Sequence, residues 1–327
     1  MAARASHSAS GAASSSDDAS RCLLLALSHD ELGVIVDGLA DPLQPVVAVA
    51  LSSSCKGMRT PLRAALEVLQ QQYEKVDALC RKMGINGAAL YSNARIPGHL
   101  NWHSRNLTAD DMATFGILLR KGQPFLRALY LTGNEIGDAG MQALCDGLSH
   151  LKTPSLEAVN LTTTQIGPAG AAALAPALCT EGMSKVTRLW IGQNDLSDEG
   201  VTALAAYLRQ MPALEVLCLE DCMLGDEGLA SLLANLGKDD FKALRHLYLN
   251  NNHLTEAAGK TIVSAVNGES LQSLKAVWML SNDMSPEAEG ALKVQLERVW
   301  KDYDDEDEAD AEADEHYDEH YDEAEPY

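Results

Sequence analysis

Six positions, Tyr130, Asn160, Trp190, Cys218, Tyr248 and Trp278, follow one another at intervals of 30, 30, 28, 30 and 30 residues. Their chemistry is that of contact. Tryptophan and tyrosine offer large, stiff apolar surface with a polar end, and these residue types dominate protein interfaces. Only 5% of the chain is aromatic, so two of its four tryptophans in one spaced set is an enrichment. Arg188, His246, Glu220, Asp221 and Asn250 lie within two or three residues of the set and can form its polar rim. Signals for catalysis fail on inspection. Gly259-Lys260-Thr261 has the end of a phosphate-binding loop, but the glycine required five residues earlier is Leu254. Cys218 and Cys222 are a close thiol pair without the further ligands that zinc requires, and His316 and His320 lie in a run of acids best read as solvated. No Ser, His and Asp set can be assembled from spacing. The expectation is a binding protein with no catalytic residues, no cofactor and no metal.

The spaced residues need elements to position them, and the period supplies these. Around Tyr130 the sequence reads Leu126, Leu129, Leu131, Asn134, Ile136, and around Asn160 it reads Leu156, Val159, Leu161, Thr164, Ile166. Four further copies carry Asn194, Cys222, Asn252 and Asn282 at the polar position. A degenerate earlier copy holds Leu100, Asn101, Trp102 and Leu107. The Leu-x-Leu stretch alternates as a strand does, and Leu144 with Leu148, or Leu204 with Leu208, are spaced for one helical face. Gly137-Asp138, Gly167-Pro168, Ser197-Asp198, Gly225-Asp226, Thr255-Glu256 and Ser285-Pro286 mark helix starts. Each unit is therefore one strand and one helix, and about seven units make a solenoid. Strand residues between the core leucines face its concave side, which gives the spaced column one common surface.

This pattern, Leu-x-x-Leu-x-Leu-x-x-Asn-x-Ile-Gly-Asp-x-Gly with an intervening helix, resembles the ribonuclease-inhibitor class of leucine-rich repeats over residues 98–300. The resemblance implies an α/β horseshoe. It also implies that Asn134, Asn194, Asn252 and Asn282 hydrogen-bond the turn after each strand, a role open to Thr164 and Cys222.

The flanks divide further. Residues 1–21 form a Ser/Ala-rich leader expected to be disordered. Residues 22–60, with Leu-Ser-His-Asp-Glu-Leu, Ile35, Gly38-Leu39, Asp41-Pro42 and Cys55-Lys56-Gly57-Met58-Arg59, resemble a divergent F-box. That resemblance implies docking to a ubiquitin-ligase adaptor through Leu27, Leu32, Ile35 and Leu39; the same residues read equally as a helical cap on the solenoid. Over 61–97, Leu62, Leu66, Leu69, Tyr73, Val76, Cys80 and Met83 give a long amphipathic helix ending at Gly84. At the far end, Leu292, Leu296, Val299 and Trp300 predict a helix that covers the last repeat.

Residues 302–327 carry fifteen carboxylates and no Lys or Arg, so of the net charge of −22 only −7 belongs to the rest, with 32 acidic and 25 basic residues. Such a composition predicts disorder. The charge opposes nucleic-acid binding, and no apolar run is long enough to span a membrane. Scattered cysteines, seven in number, suit buried thiols in a reducing compartment, cytoplasmic or nuclear. The expected function is a protein-interaction scaffold that holds a client protein on its concave face, as an F-box-type substrate receptor. Repeats followed by an acidic segment also resemble the Ran GTPase-activating proteins, which implies a small GTPase as the alternative partner.

Overall fold

The structure, a computed structural model, describes residues 63–84, 98–120, 126–150, 156–233, 235–268 and 271–301. The leader, the F-box-like residues Leu27, Leu32, Ile35 and Leu39, and the acidic segment lie outside the described residues.

Helix α1 spans Arg63–Met83, and Gly84 follows it with a positive φ of 68°, the turn that its position predicts. Then strand and helix alternate: β1 His99–Asn101, α2 Ala109–Leu119, β2 Ala128–Tyr130, α3 Gly137–Leu148, β3 Ala158–Asn160, α4 Pro168–Leu178, β4 Arg188–Trp190, α5 Ser197–Arg209, β5 Val216–Cys218, α6 Asp226–Leu233, β6 His246–Tyr248, α7 Glu256–Asn267, β7 Ala276–Trp278 and α8 Pro286–Gln295. The strands form one parallel sheet in chain order, β1 to β7. This is the open leucine-rich-repeat solenoid that the period predicts.

Register is uniform. Leu100, Leu129, Val159, Leu189, Leu217, Leu247 and Val277 pair along the strand centres. All point inward and none is more than 2% exposed, so the core is a stack of equivalent layers filled from strand and helix together. Helices approach most closely where side chains vanish. A Cβ on Gly147 would lie 2.6 Å from Gly116 Cα, which fixes glycine at the crossing of α2 and α3.

Two ladders of hydrogen bonds join neighbouring units, the second interrupted at α4, which has no first-turn acid. Asn194 Oδ1 accepts from Thr164 N and Ile166 N in the preceding unit at 3.0 Å each, while its Nδ2 donates to the carbonyls of Leu161 and Ile191. Asn134 and Asn252 repeat the pattern. Because an amide carries both a donor and an acceptor group, one side chain satisfies strand end and turn together. Thr164 and Cys222 carry less: the threonine hydroxyl donates to Leu161 O at 2.6 Å, and the Cys222 thiol reaches Ile191 O at 3.5 Å.

The second ladder revises the helix starts. Asp138, in the first turn of α3, accepts from Gly167 N and Gly170 N of α4's start at 2.7 and 2.8 Å. Asp198 does so for Gly225 N, and Asp226 accepts from Thr255 N and Oγ. The first-turn acid thus caps the next helix, binding an anion to unsatisfied amide donors across the repeat boundary.

The solenoid's far end departs from expectation. The helical pattern predicted through Trp300 stops at Gln295; a turn over residues 296–299 then brings Trp300 beside β7, where Val277 N donates to Val299 O at 2.7 Å and Lys301 N to Val277 O at 3.1 Å. The open edge of β7 carries unpaired backbone groups, and pairing them outweighs continuing the helix. Cys179 is likewise exposed, whereas Cys80, Cys145, Cys218 and Cys222 are the buried thiols expected.

Candidate functional site

Each strand turns its first and third residues away from the core, so two rows line the outer face of the sheet. The third-residue row is the predicted column, Asn101, Tyr130, Asn160, Trp190, Cys218, Tyr248 and Trp278, and strand pairing places these residues side by side. The first-residue row is His99, Ala128, Ala158, Arg188, Val216, His246 and Ala276. Ala128 and Ala158 stand together there, followed by the larger Arg188, Val216 and His246 and then Ala276, a relief that the aromatic column alone does not reveal.

Accessibility along the column is graded. Asn101 is exposed, Tyr130, Asn160 and Trp190 are half-buried, and Cys218, Tyr248 and Trp278 are buried at 9, 7 and 1% exposure. The expectation that the whole column is open is thus corrected at its far end. Trp278 lies flat on Tyr248 with ring centroids 4.2 Å apart and 1° between planes, and His246 meets its edge at 5.8 Å and 89°. Neighbouring strands at about 4.8 Å hold paired side chains near stacking distance, so the aromatics satisfy one another. Cys218, Tyr248, Ala276 and Trp278 form an apolar cluster on the concave side, with Trp190 and Val216 packed against it and partly open. Gly192 keeps space beside it, since a Cβ there would stand 3.2 Å from Cys218 Sγ and 2.8 Å from Glu220 O.

The polar rim also sorts into open and structural parts. Asn250 is 0% exposed, and its Oδ1 accepts from Leu280 N at 2.9 Å, so it holds the neighbouring unit and is not a rim residue. Asn160 is half-buried and its Oδ1 accepts from Thr162 N at 2.9 Å, closing the turn after β3 as Asn101 does with His103 N after β1. Glu220 is half-buried and its Oε1 accepts from Asn251 Nδ2 at 2.8 Å. Arg188 places its guanidinium 6.0 Å from the Trp190 ring centroid, and its Nε is buried with no hydrogen-bond partner. Trp278 Nε1 is a second buried donor with no acceptor. Such orphaned donors are costly, and they favour whatever brings an acceptor to them.

Reactive chemistry is suppressed. Burial, reinforced by Asp146, pushes the Cys145 thiol up to about 12, and burial beside Cys218 raises Cys222 above the ordinary thiol range. Neither supplies thiolate at neutral pH. Among the described residues no group of three His, Cys, Asp or Glu side chains is arranged to hold a metal ion. No helix among them is long and apolar enough to cross a membrane.

Comparison with known proteins places the repeats. The family model described as "Leucine Rich repeat" matches residues 122–145, 152–175 and 182–205, the units that carry Tyr130, Asn160 and Trp190. The human NACHT, LRR and PYD domains-containing protein 12 is 31% identical over 180 residues, 54% of this chain and 16% of that protein. The Sus scrofa ribonuclease inhibitor is 30% identical over 128 residues, 39% of this chain and 27% of that protein. The chain therefore spans between 16 and 27% of the length of these relatives. Among solved structures, a Listeria monocytogenes internalin, InlF, aligns with 57% of this chain and 61% of its own at 14% identity and a TM-score of 0.23. The plant peptide hormone receptor RGFR1 in complex with RGF2 aligns with 57 and 43% at 15% identity and a TM-score of 0.18.

Proposed function

We propose that this leucine-rich-repeat solenoid is a protein-interaction scaffold whose client seats an apolar side chain beside Trp190 on the concave face. A single observation carries the reading: an aromatic cluster has formed on the side of the sheet opposite the core, and Trp190 and Val216 are its half-open margin. Apolar surface gathered outside the core marks an interaction site. Tyr130 and Asn160 extend the contact toward the first unit, Arg188 and Glu220 supply charge around it, and His246 a polar edge. The buried Cys218, Tyr248 and Trp278 form the floor and set its shape. Replacing Trp190 by Ala should weaken client capture in affinity purification of the full chain without lowering the melting temperature by more than a degree or two; equal capture would move the site.

The finer reading is that residues 22–60, through Leu27, Leu32, Ile35 and Leu39, present this client to a ubiquitin-ligase adaptor. Its support is the F-box-like pattern ahead of the repeats. The full chain should co-purify the adaptor and lose it on Leu32→Asp with Ile35→Asp. A second reading, activation of a small GTPase of the Ran type, draws on the acidic segment that directly follows the last repeat. Single-turnover GTP hydrolysis by Ran decides it, since an unchanged rate excludes the activity.

A further inference from the structure

We propose that the acidic segment 302–327 docks on its own solenoid, running back over the Tyr248 and Trp278 end of the concave face to a basic ladder formed by Arg245, Lys275 and Arg298. Arg245 and Lys275 occupy one repeat position. Lys275 N and Ala276 N both donate to Arg245 O, at 2.8 and 3.0 Å, so Arg245 and Lys275 precede β6 and β7 on adjacent strands. Arg298 lies in the turn that follows α8, where Val299 N donates to Leu296 O at 2.7 Å, and its guanidinium also reaches Val266 O at 3.4 Å. All three are exposed and line one groove of about 520 Å³ with Gln272, Ser273 and Leu274. The equivalent residues of earlier units are Arg127, Glu157, Thr187 and Glu215, so consecutive positive charge is confined to this end. Glu215 offsets it only in part, with Oε2 3.7 Å from Arg245 Nε.

The attachment point favours the chain's own acids as occupant. Lys301 N donates to Val277 O at 3.1 Å, so the last described residue before the segment is held at the sheet edge beside β7. From the Trp278 row to the Lys275 row is three residues, or about 10 Å of extended chain. Asp302, Asp304, Asp305, Glu306, Asp307 and Glu308 follow Lys301 within seven residues, a length of chain sufficient to reach the ladder. On that path they pass the buried Trp278 Nε1, which has no acceptor, and a carboxylate-rich segment can supply one. A short tether gives a local concentration on the order of millimolar, against which a diffusing acidic partner has to compete. The segment covers the closed end of the column and leaves Trp190 open, so this proposal stands or falls separately from the client reading.

Zero-length carbodiimide coupling of the full-length protein tests it. At low salt, mass mapping should find amides between Lys275 Nζ and carboxylates of 302–327 within the monomer. At about 1 M salt, where screening acts within about 3 Å, their yield should drop at least about tenfold. Arg245→Glu with Arg298→Glu keeps Lys275 as reporter and should lower the yield to a similar degree. No coupling at Lys275, coupling only between copies, or coupling indifferent to salt would overturn the proposal. A second variant avoids any loss of folding in the ladder: neutralising the six acids from Asp302 to Glu308 as Asn or Gln in the full chain should increase acrylamide quenching of tryptophan fluorescence. Unchanged quenching there would also sink it.

Discussion

The indole of Trp278 lies on the phenol ring of Tyr248 in an almost parallel stack, 4.2 Å between centroids, although both side chains sit on the face of the sheet opposite the core. The two residues are 30 apart in sequence and directly paired in register. Their burial makes the stack part of what holds the last units together. Trp278→Ala should therefore cost about 3–5 kcal/mol, the usual range for a buried tryptophan. Trp190→Ala, at the half-open margin, should cost under about 1.5 kcal/mol and weaken client binding about thirtyfold or more. Urea unfolding of both variants, set beside client titration, checks the contrast. Equal destabilisation would remove the distinction between floor and margin.

The asparagine ladder gives a prediction in both directions. Asn194 and Asn252 each hold at least four buried backbone groups of two adjoining units. Asn194→Ala should cost about 2–4 kcal/mol, because amides and carbonyls are left buried and unpaired. Cys222 stands at the same position with a thiol that reaches two carbonyls only at 3.5 Å. Cys222→Asn should replace the weak sulfur acceptor facing Asn194 N with an amide oxygen and raise the melting temperature by about 2–4 °C. A fall instead would show that the 28-residue unit lacks room for the amide.

The repeats, their register and the inward leucines were legible because each unit states the same spacing in its own residues. What escaped was whatever depends on a partner one repeat away. Asp138 reads as an acid in its own helix's first turn, yet it caps α4, because its Oδ1 accepts from Gly167 N and Gly170 N one unit away. Trp278 reads as an exposed strand residue, yet Tyr248 and His246 close over it. Leu292, Leu296 and Val299 have helical spacing, but Val299 and Lys301 instead satisfy the open edge at Val277, a demand no local pattern records.

A backbone feature of the turns yields a third test. The residue before each polar position has positive φ: Ser104, Gly133, Thr163, Gln193, Asp221, Asn251 and Ser281, all between 50 and 70°. Only one is glycine, and a β-branched side chain is the least suited to this region. Thr163 keeps its place through the hydroxyl bond to Gln193 Oε1 at 2.7 Å, an exposed contact of small net value. Thr163→Gly should gain about 0.5–1 kcal/mol, read from the denaturation midpoint. A loss would mean that the side-chain ladder outweighs the strain.

The end of α1 is clasped to the first repeat by Asp111. Its Oδ2 accepts from Lys82 Nζ at 2.6 Å and from Thr108 N and Oγ at 2.9 and 3.0 Å. Burial raises its pKa, but the lysine and the Thr108 donors more than offset this, and the carboxyl is held below its ordinary value of 3.8. A depressed carboxylate stabilises above the unfolded value and loses that contribution as pH falls through the folded one. The melting-temperature gap between the native chain and Asp111→Asn should thus be full at neutral pH and close below about pH 4. A gap that persists in acid would assign the effect to packing.

Thiol chemistry separates the cysteines by environment. Cys179, just past α4, is exposed, whereas Cys80, Cys145, Cys218 and Cys222 are buried. Thiolate is the reacting species, and the Cys145 thiol at about 12 has almost none of it at neutral pH. Under native conditions a maleimide should label Cys179 within minutes and the four buried thiols only as fast as the solenoid opens. Mild urea should release Cys218 and Cys222 together, because they share one unit and neighbouring layers unfold in concert. Peptide-level mass mapping against time measures both rates, and early labelling of Cys218 would show that the concave cluster opens without its repeat.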